Sequence, residues 1–281
     1  MNALELINIG TKKLRYKKIQ SSKLDSELLL SKTLGKKREE ILTNLNQEIC
    51  LKDLSKYKKL IQRRSKNEPL AYIMEEKEFW SKNFFLSQDT LIPRPETELM
   101  VEKLVKIFKE KKITILDIGT GSGCILISIL GELKKSTGIG IDISKKALVI
   151  AKKNSEKHNT LNNIKFLNKS LKSKFNQKFD LIVSNPPYIK SNEIKNLSED
   201  IKRYEPIIAL DGGNDGLDLI KKVIYKTKNI LKINGTLALE IGNEQNKKVS
   251  KILVKNNFKI EHTIKDYKDN VRCLISTYLN N

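Results

Sequence analysis

Apolar residues return at helical spacing through the first quarter of the chain. Leu4, Ile7 and Leu14 form one stripe, Leu24, Leu28 and Leu29 a second, and Leu54, Tyr57, Leu60 and Ile61 a third. Recurrence every three or four residues sets one helix face against a core, so residues 1–75 are expected to form four or five short helices in a small bundle. Ser21 or Ser22 is positioned to cap a helix running from Lys23 to Leu34, and Gly35 to close it. Over residues 76–95 the pattern changes. Phe79, Trp80, Phe84, Phe85 and Leu86 favour strands, and Ser81-Lys-Asn83 is the expected turn of a hairpin that links two domains. Pro95 suits the first turn of the next helix, Glu96 and Glu98 complement its dipole, and Leu99, Val101, Leu104, Val105 and Phe108 give it an apolar face.

From Ile113 onward short apolar runs alternate with loops and amphipathic segments, the mark of a parallel sheet with crossover helices. Strands are expected at 113–118, 138–142, 164–167, 179–184 and 235–241. A helix should begin at Cys124, and others should span 144–159, 217–231 and 246–256. Residues 258–263 and 272–278 read as closing strands, with antiparallel pairing the expectation. The fold class is therefore α/β, a Rossmann-like domain over residues 96–281 behind the helical bundle and the hairpin linker. The bundle holds no catalytic constellation, so recognition or plain packing are its candidate roles.

Composition narrows the function. The apolar share of 39% supports a real core. No run of about 18 apolar residues occurs, so no membrane-spanning helix is expected. The first residues lack the basic-then-apolar order of a signal peptide, and a cytoplasmic protein is the expectation. Cys50, Cys124 and Cys273 are too widely spaced for a disulfide framework or metal ligation. With His158 and His262 the only histidines, a zinc site or a histidine triad is poorly supplied, and no metal is expected. The net charge of +21 raises the question of a polyanionic partner. Its lysines are spread through every segment beside abundant Asn and Ile, which favours compositional drift over a dedicated nucleic-acid surface.

Two stretches carry chemistry. Gly119-Thr-Gly121-Ser-Gly123 lies between an expected strand and an expected helix, where glycines permit positive φ and close approach of a ligand to the backbone. Asp117 precedes this loop and Asp142 ends the next strand. A carboxylate at the second position accepts hydrogen bonds from ribose hydroxyls. Asp117 can also meet an ammonium group, which favours S-adenosylmethionine over a nicotinamide cofactor. The other stretch is the buried strand Phe179–Ser184 ending in Asn185-Pro-Pro-Tyr188. The prolines stop the strand because neither donates to a ladder, so Asn185 is held at the carboxyl edge of the sheet, where open α/β folds bind ligands. Its side-chain amide and the Pro186 carbonyl can grip a planar –NH2 group while Tyr188 covers it. Asn185-Pro186 alone would more simply be a strand-ending turn.

With both stretches placed, the chain resembles the N5-glutamine methyltransferases of peptide chain release factors, the HemK/PrmC family. The resemblance runs through Asp25–Leu30, Glu68–Ile73, Glu78-Phe-Trp80, Leu91-Ile-Pro-Arg-Pro-Glu-Thr-Glu98, Ile115–Gly121 and Asn185–Tyr188. It continues in Tyr204-Glu-Pro206, Asp211-Gly-Gly213 and Asp266–Arg272. It implies a seven-stranded methyltransferase sheet and a release factor as protein substrate. It implies that Gly119, Thr120, Gly121, Ser122, Gly123, Asp117, Asp142 and Asn185 line the S-adenosylmethionine site, and that Asn185, Pro186, Pro187 and Tyr188 hold the glutamine. After the third strand the family usually carries an acidic–aromatic pair near the adenine. Here the pair is Ser170-Leu171, so that carboxylate contact is missing and Leu171 is left as an apolar wall.

Adenine-N6 nucleic-acid methyltransferases share the Asn-Pro-Pro-Tyr element, and there Tyr188 would stack on a flipped base. A sister family that methylates a ribosomal-protein glutamine typically carries Pro-Arg-Ser-Pro where this chain has Pro93–Glu98. A non-enzymatic RNA-binding module would leave the glycine loop, Asp142 and Asn185 without a purpose.

Overall fold

The computed structural model describes residues 1–279, two short of the expected domain bound at residue 281. Two compact units are present, one comprising Met1–Glu76 with Ser198–Tyr204, the other Lys77–Leu197 with the chain from Glu205 on. The first contains α1 (Ala3–Tyr16), α2 (Ser22–Leu34), α3 (Arg38–Thr43), α4 (Leu51–Arg64) and α5 (Leu70–Met74). Leu6, Ile7, Leu14, Leu29, Leu30, Tyr57 and Ile61 pack its core.

The apolar stripes mark the right helices but in two places the wrong residues. Leu4 and Leu24 are exposed, whereas α2 buries Asp25, Ser26 and Glu27. Each of these polar groups has a partner, as burial requires. Arg64 donates to Asp25 at 2.6 Å, Arg38 pairs with Glu27 at 2.6 Å, and the Ser26 hydroxyl donates to the Ile7 carbonyl at 2.8 Å. Ser21 occupies the cap position without a capping side-chain bond, while Gly35, at φ 65°, ends the helix as its conformational freedom allows.

The second unit opens, from Lys77, with the hairpin β1 (Glu76–Phe79) and β2 (Lys82–Phe85), the first residue of β1 being the last of the first unit's N-terminal stretch. Its turn is Trp80-Ser81, both at φ 53°, and not Ser81–Asn83. Two consecutive positive φ values match the right-handed twist of a two-residue hairpin, and Lys82 already pairs in β2. There follow α6 (Pro95–Phe108), β3 (Thr114–Ile118), α7 (Cys124–Glu132), β4 (Thr137–Asp142), α8 (Lys145–Lys157), β5 (Ile164–Asn168) and β6 (Phe179–Ser184). The short α9 (Glu199–Tyr204) belongs to the first unit; α10 (Asp218–Ile230), β7 (Leu231–Glu240), α11 (Asn246–Lys255), β8 (Phe258–Lys265) and β9 (Val271–Tyr278) complete the second.

Seven strands form one sheet in the order β5-β4-β3-β6-β7-β9-β8, parallel except where β9 pairs with β7 and β8. The central β6 is apolar and almost wholly buried because helices cover both faces. The chain winds from β3 outward to β5, then returns to place β6 on the other side of β3. That reversal opens a crevice at the carboxyl ends of β3 and β6, where doubly wound sheets bind ligands. Register makes it specific: Ile118 pairs with Ile141 and with Ser184, and Ser184 pairs with Leu239. Gly119, Asp142, Asn185 and Glu240 are therefore set along one edge. Among the described residues no helix is long and apolar enough to cross a membrane.

The helical core sets a steric limit at Gly10, where an added Cβ would lie 2.1 Å from the Tyr57 hydroxyl and 2.5 Å from Ser26 Oγ. Gly10→Ala should destabilise the helical unit by about 1–3 kcal/mol, read as a lower thermal midpoint, while methyl-donor affinity of the folded protein is retained.

Candidate active site

Backbone hydrogen bonds hold the loop after β3 in place. The Gly119 and Thr120 amides both donate to the Ile141 carbonyl, at 2.9 and 3.0 Å. Asp142 braces the same loop from the side. Its Oδ2 accepts from the Gly121 amide and its Oδ1 from the Ser144 amide, each at 2.9 Å. Both oxygens retain lone pairs, so Asp142 can hold the loop and still accept from a ribose diol. Gly119 and Gly121 have φ of 76° and 55°, and a Cβ on either would meet essentially open space. That space leaves room for a ligand to approach the backbone closely. Gly123 has the opposite purpose, since a Cβ there would strike Ile127 at 2.8 Å.

Asp117 lies beneath the loop, fully buried. Thr120 donates to its Oδ2 at 2.7 Å, while Oδ1 has no hydrogen-bond partner. Burial pushes the carboxyl up to about 7, with help from the Asp142 charge and against the Thr120 hydrogen bond and a weaker one from the Leu126 backbone, which is too long or bent to satisfy Oδ1. An orphaned acceptor beside an open glycine cradle fits a nucleoside carrying an ammonium group. Leu171 lies in the loop after β5, half-buried against the apolar cluster on one face of the sheet. Ser170 turns that loop, its hydroxyl accepting from the Lys172 amide at 3.2 Å.

The Asn185–Tyr188 segment leaves β6 and is tied down on its far side. The Ile189 amide donates to the Leu210 carbonyl and the Gly212 amide to the Ile189 carbonyl, at 3.1 and 2.7 Å. Gln245 donates to the carbonyls of Tyr188 and Gly216, at 3.0 and 3.1 Å. The Gly216 and Gly242 positions press on Tyr188 and on Gln245, which is why the chain carries no side chain there. Pro186 is buried, whereas Asn185, Pro187 and Tyr188 are half-buried. The two sequence-predicted groups thus follow the paired ends of β3 and β6.

Two further residues join them that sequence reasoning missed. Thr97, in the first turn of α6, donates to Glu240 Oε2 at 2.6 Å and accepts from Asn185 Nδ2 at 3.5 Å. The Tyr188 hydroxyl faces Glu240 Oε1, also at 3.5 Å. Burial raises Glu240 to about 7, opposed by the Thr97 hydrogen bond and the Arg272 charge. A signal for Glu240 existed in the sequence, because it is a lone charge at the end of the apolar run Leu237-Ala-Leu. Arg94 donates to the buried Glu205 at 2.6 Å, and Arg272 pairs with Asp266 at 2.8 Å. Among the described residues no group of His, Cys, Asp and Glu is placed to hold a metal ion.

Residues 87–203 match the methyltransferase small domain, and residues 5–74 the PrmC N-terminal domain. The chain is similar in fold to the hMettl16 catalytic domain solved with the MAT2A 3′UTR hairpin 6. The TM-score is 0.59 at 16% identity, over 79% of this chain and 83% of that one. Fold and site together define a class I, S-adenosylmethionine-dependent methyltransferase. Over 277 residues the chain is 39% identical to the release factor glutamine methyltransferase of Fusobacterium nucleatum subsp. nucleatum, covering 97% of this chain and 78% of that one. It is 36% identical over 296 residues to the bifunctional methyltransferase of Rickettsia typhi, where 98% of this chain spans 57% of the longer protein. The chain belongs to the release factor glutamine methyltransferase family.

Because Asp142 fixes Gly121 and Ser144 at once, Asp142→Ala should weaken S-adenosylmethionine binding by about tenfold or more. Titration calorimetry on the folded variant checks this, and unchanged affinity would contradict the assignment.

Proposed function

We propose that this chain transfers the methyl group of S-adenosylmethionine to the side-chain amide nitrogen of the glutamine in the GGQ motif of a peptide chain release factor. The observation that carries the reading is the register that sets Gly119 and Asn185 at the heads of adjacent loops. One loop is shaped for the donor and the other for a planar amide. Asp117 takes the donor's ammonium group, Asp142 its ribose hydroxyls, and the amides and open faces of Gly119–Gly123 its closest backbone approach. Leu171 supplies an apolar wall where the adenine lies.

S-adenosylmethionine brings an electrophilic methyl group on a sulfonium. The residues of this chain must make a poor nucleophile reactive, since the amide lone pair is delocalised into its carbonyl. Asn185 Oδ1 and the Pro186 carbonyl each accept one N–H of the glutamine, which fixes the nitrogen and favours its pyramidal form. Pro187 and Tyr188 close the slot around it. Most of the acceleration is then positioning. Acceptors aimed at nitrogen as its positive charge grows add about 3 kcal/mol. The N-methylated, N-protonated amide is a strong acid and loses its proton to water, so the reaction needs no histidine.

The helical unit is assigned to recognition of the release factor as a folded protein. It forms its own compact core, matches its own family domain, and contributes none of the residues above. Lys13, Lys58 and Lys59 line a groove on its surface.

Asn185→Ala should keep donor affinity while lowering methyl transfer about a hundredfold or more. The assay is labelled transfer to release factor, ribosome and DNA side by side, with mass spectrometry of the product. Near-normal turnover in the variant, or preferential labelling of DNA, would sink the reading. The paired change Lys13→Glu with Lys58→Glu should raise KM for intact release factor about tenfold with donor affinity intact. An unchanged KM would remove that groove from recognition.

A further inference from the structure

A side-chain amide can face either way, and the mechanism needs only one of the two orientations. With Oδ1 toward the substrate, Asn185 accepts an N–H; with Nδ2 there, two –NH2 groups confront each other and the slot repels its substrate. Nothing in Asn185 itself selects between them. The neighbours do, and they lie on other elements.

We propose that Thr97 and Glu240 are positioning residues that set the direction of the Asn185 amide, so that Oδ1 faces the nitrogen to be methylated. This rests on the reading of Asn185 as the amide-gripping residue. Ser184 pairs with Leu239, so Asn185 and Glu240 follow at the ends of adjacent strands. Thr97 reaches between them from α6, its own amide held by the Arg94 carbonyl at 3.1 Å. The Thr97 hydroxyl has one proton, and at 2.6 Å it goes to Glu240. Its oxygen can then only accept, and the group that faces it must be a donor. Asn185 Nδ2 is that donor. Turning the amide over would set Oδ1 against an oxygen with no proton to share. Thr97 and Glu240 are 2% and 3% exposed, so water does not substitute for either. The 3.5 Å separation is at the long end of hydrogen bonding, and catalytic contacts of that length often tighten in the substrate complex. The second oxygen of Glu240 faces the Tyr188 hydroxyl, so a single carboxylate governs both ends of the tetrapeptide.

The direction of this relay depends on the carboxylate being ionised. Glu240 faces Thr97 and Glu96 from α6, Cys124 from α7, Arg272 and Cys273 from β9, and both Asn185, whose side-chain amide also hydrogen-bonds it, and Tyr188 from the loop after β6. Burial lifts it to about 7. Below that pH it carries a proton of its own and can donate to Thr97, whose hydroxyl is then free to point at Asn185 and favour the flipped amide. Turnover at saturating donor should therefore rise as the pH passes upward through about 7. Saturation keeps the titration of Asp117, which belongs to donor binding, out of the measurement.

The test compares Thr97→Val, Thr97→Ser, Glu240→Gln and Asn185→Ala on full-length protein, with donor affinity from calorimetry confirming a folded site. Thr97→Val should lower kcat about tenfold or more with KM for release factor and donor affinity within about threefold. Thr97→Ser, which keeps the hydroxyl, should stay within about threefold of the parent. Glu240→Gln can still accept from Thr97 but cannot titrate, so its kcat should lose the rise near pH 7. Full activity of Thr97→Val, equal damage from Ser and Val, or a parental pH profile in Glu240→Gln would each overturn the inference. If Thr97→Val does not fold, Thr97→Ser and Glu240→Gln still decide. An active Asn185→Ala refutes the amide-gripping reading itself. An inactive Asn185→Ala beside a fully active Thr97→Val refutes only the positioning role.

Discussion

Parallel pairing of β6 with β3 on one side and β7 on the other makes Ile118, Ser184 and Leu239 level, and from this the site follows. One step beyond that level are Gly119 and Asn185, in the loops after β3 and β6, and Glu240, the last residue of β7, three positions far apart in sequence. A slip of one residue in β6 would turn Ser184 to the other face and carry Asn185 out of line with both neighbours. Ser184 resists such a slip directly, because its hydroxyl donates to the Ile118 carbonyl at 2.8 Å. The strand is buried on both faces, so its apolar run gives bulk stability but little register information. The serine hydroxyl and the prolines that follow it supply what the apolar residues do not.

Around this edge, motifs distant in sequence are joined by buried charge pairs. Arg94 holds Glu205 at 2.6 Å, which links the segment before α6 to the one that follows α9. Glu205 has 1% of its side chain exposed and Arg94 29%, so water reaches only the guanidinium end. Such a pair adds little net stability over an apolar substitute, and breaking one side of it is costly. Its effect here is geometric, because it anchors the turn from which Thr97 reaches Glu240.

Much of this was legible in the chain and some was not, for identifiable reasons. β6 runs from Phe179 to Ser184 as the apolar run and the following prolines require, and α6 starts at Pro95 with acidic residues in its first turn. Local signals of that kind act within a few residues. The buried face of α2 departs from its apolar stripe because Asp25 and Glu27 are paired with Arg64 and Arg38, partners that no local pattern reveals. The hairpin turn lies one residue earlier than the sequence suggests because Trp80 takes a positive φ that an aromatic residue seldom adopts. Thr97 and Glu240 escaped notice for the same reason as the α2 pairs, since their meaning depends on a contact spanning 143 residues.

The site has two buried carboxyls and no histidine at its centre, and the two are used differently. Asp117 keeps one oxygen without a partner, so its burial leaves a deficit that a cationic ligand group can fill. Glu240 has both oxygens directed at hydroxyls of its own chain, so its burial organises the protein instead of inviting a ligand. Burial raises both to about 7. The same exclusion of water that disfavours their charge also strengthens every interaction the charge makes once formed. On the proposed reading, a positively charged donor favours the ionised form of Asp117. Pairing of β3 with β6 keeps the ends of the two strands level, so the two carboxyls serve these separate purposes at one edge of the sheet.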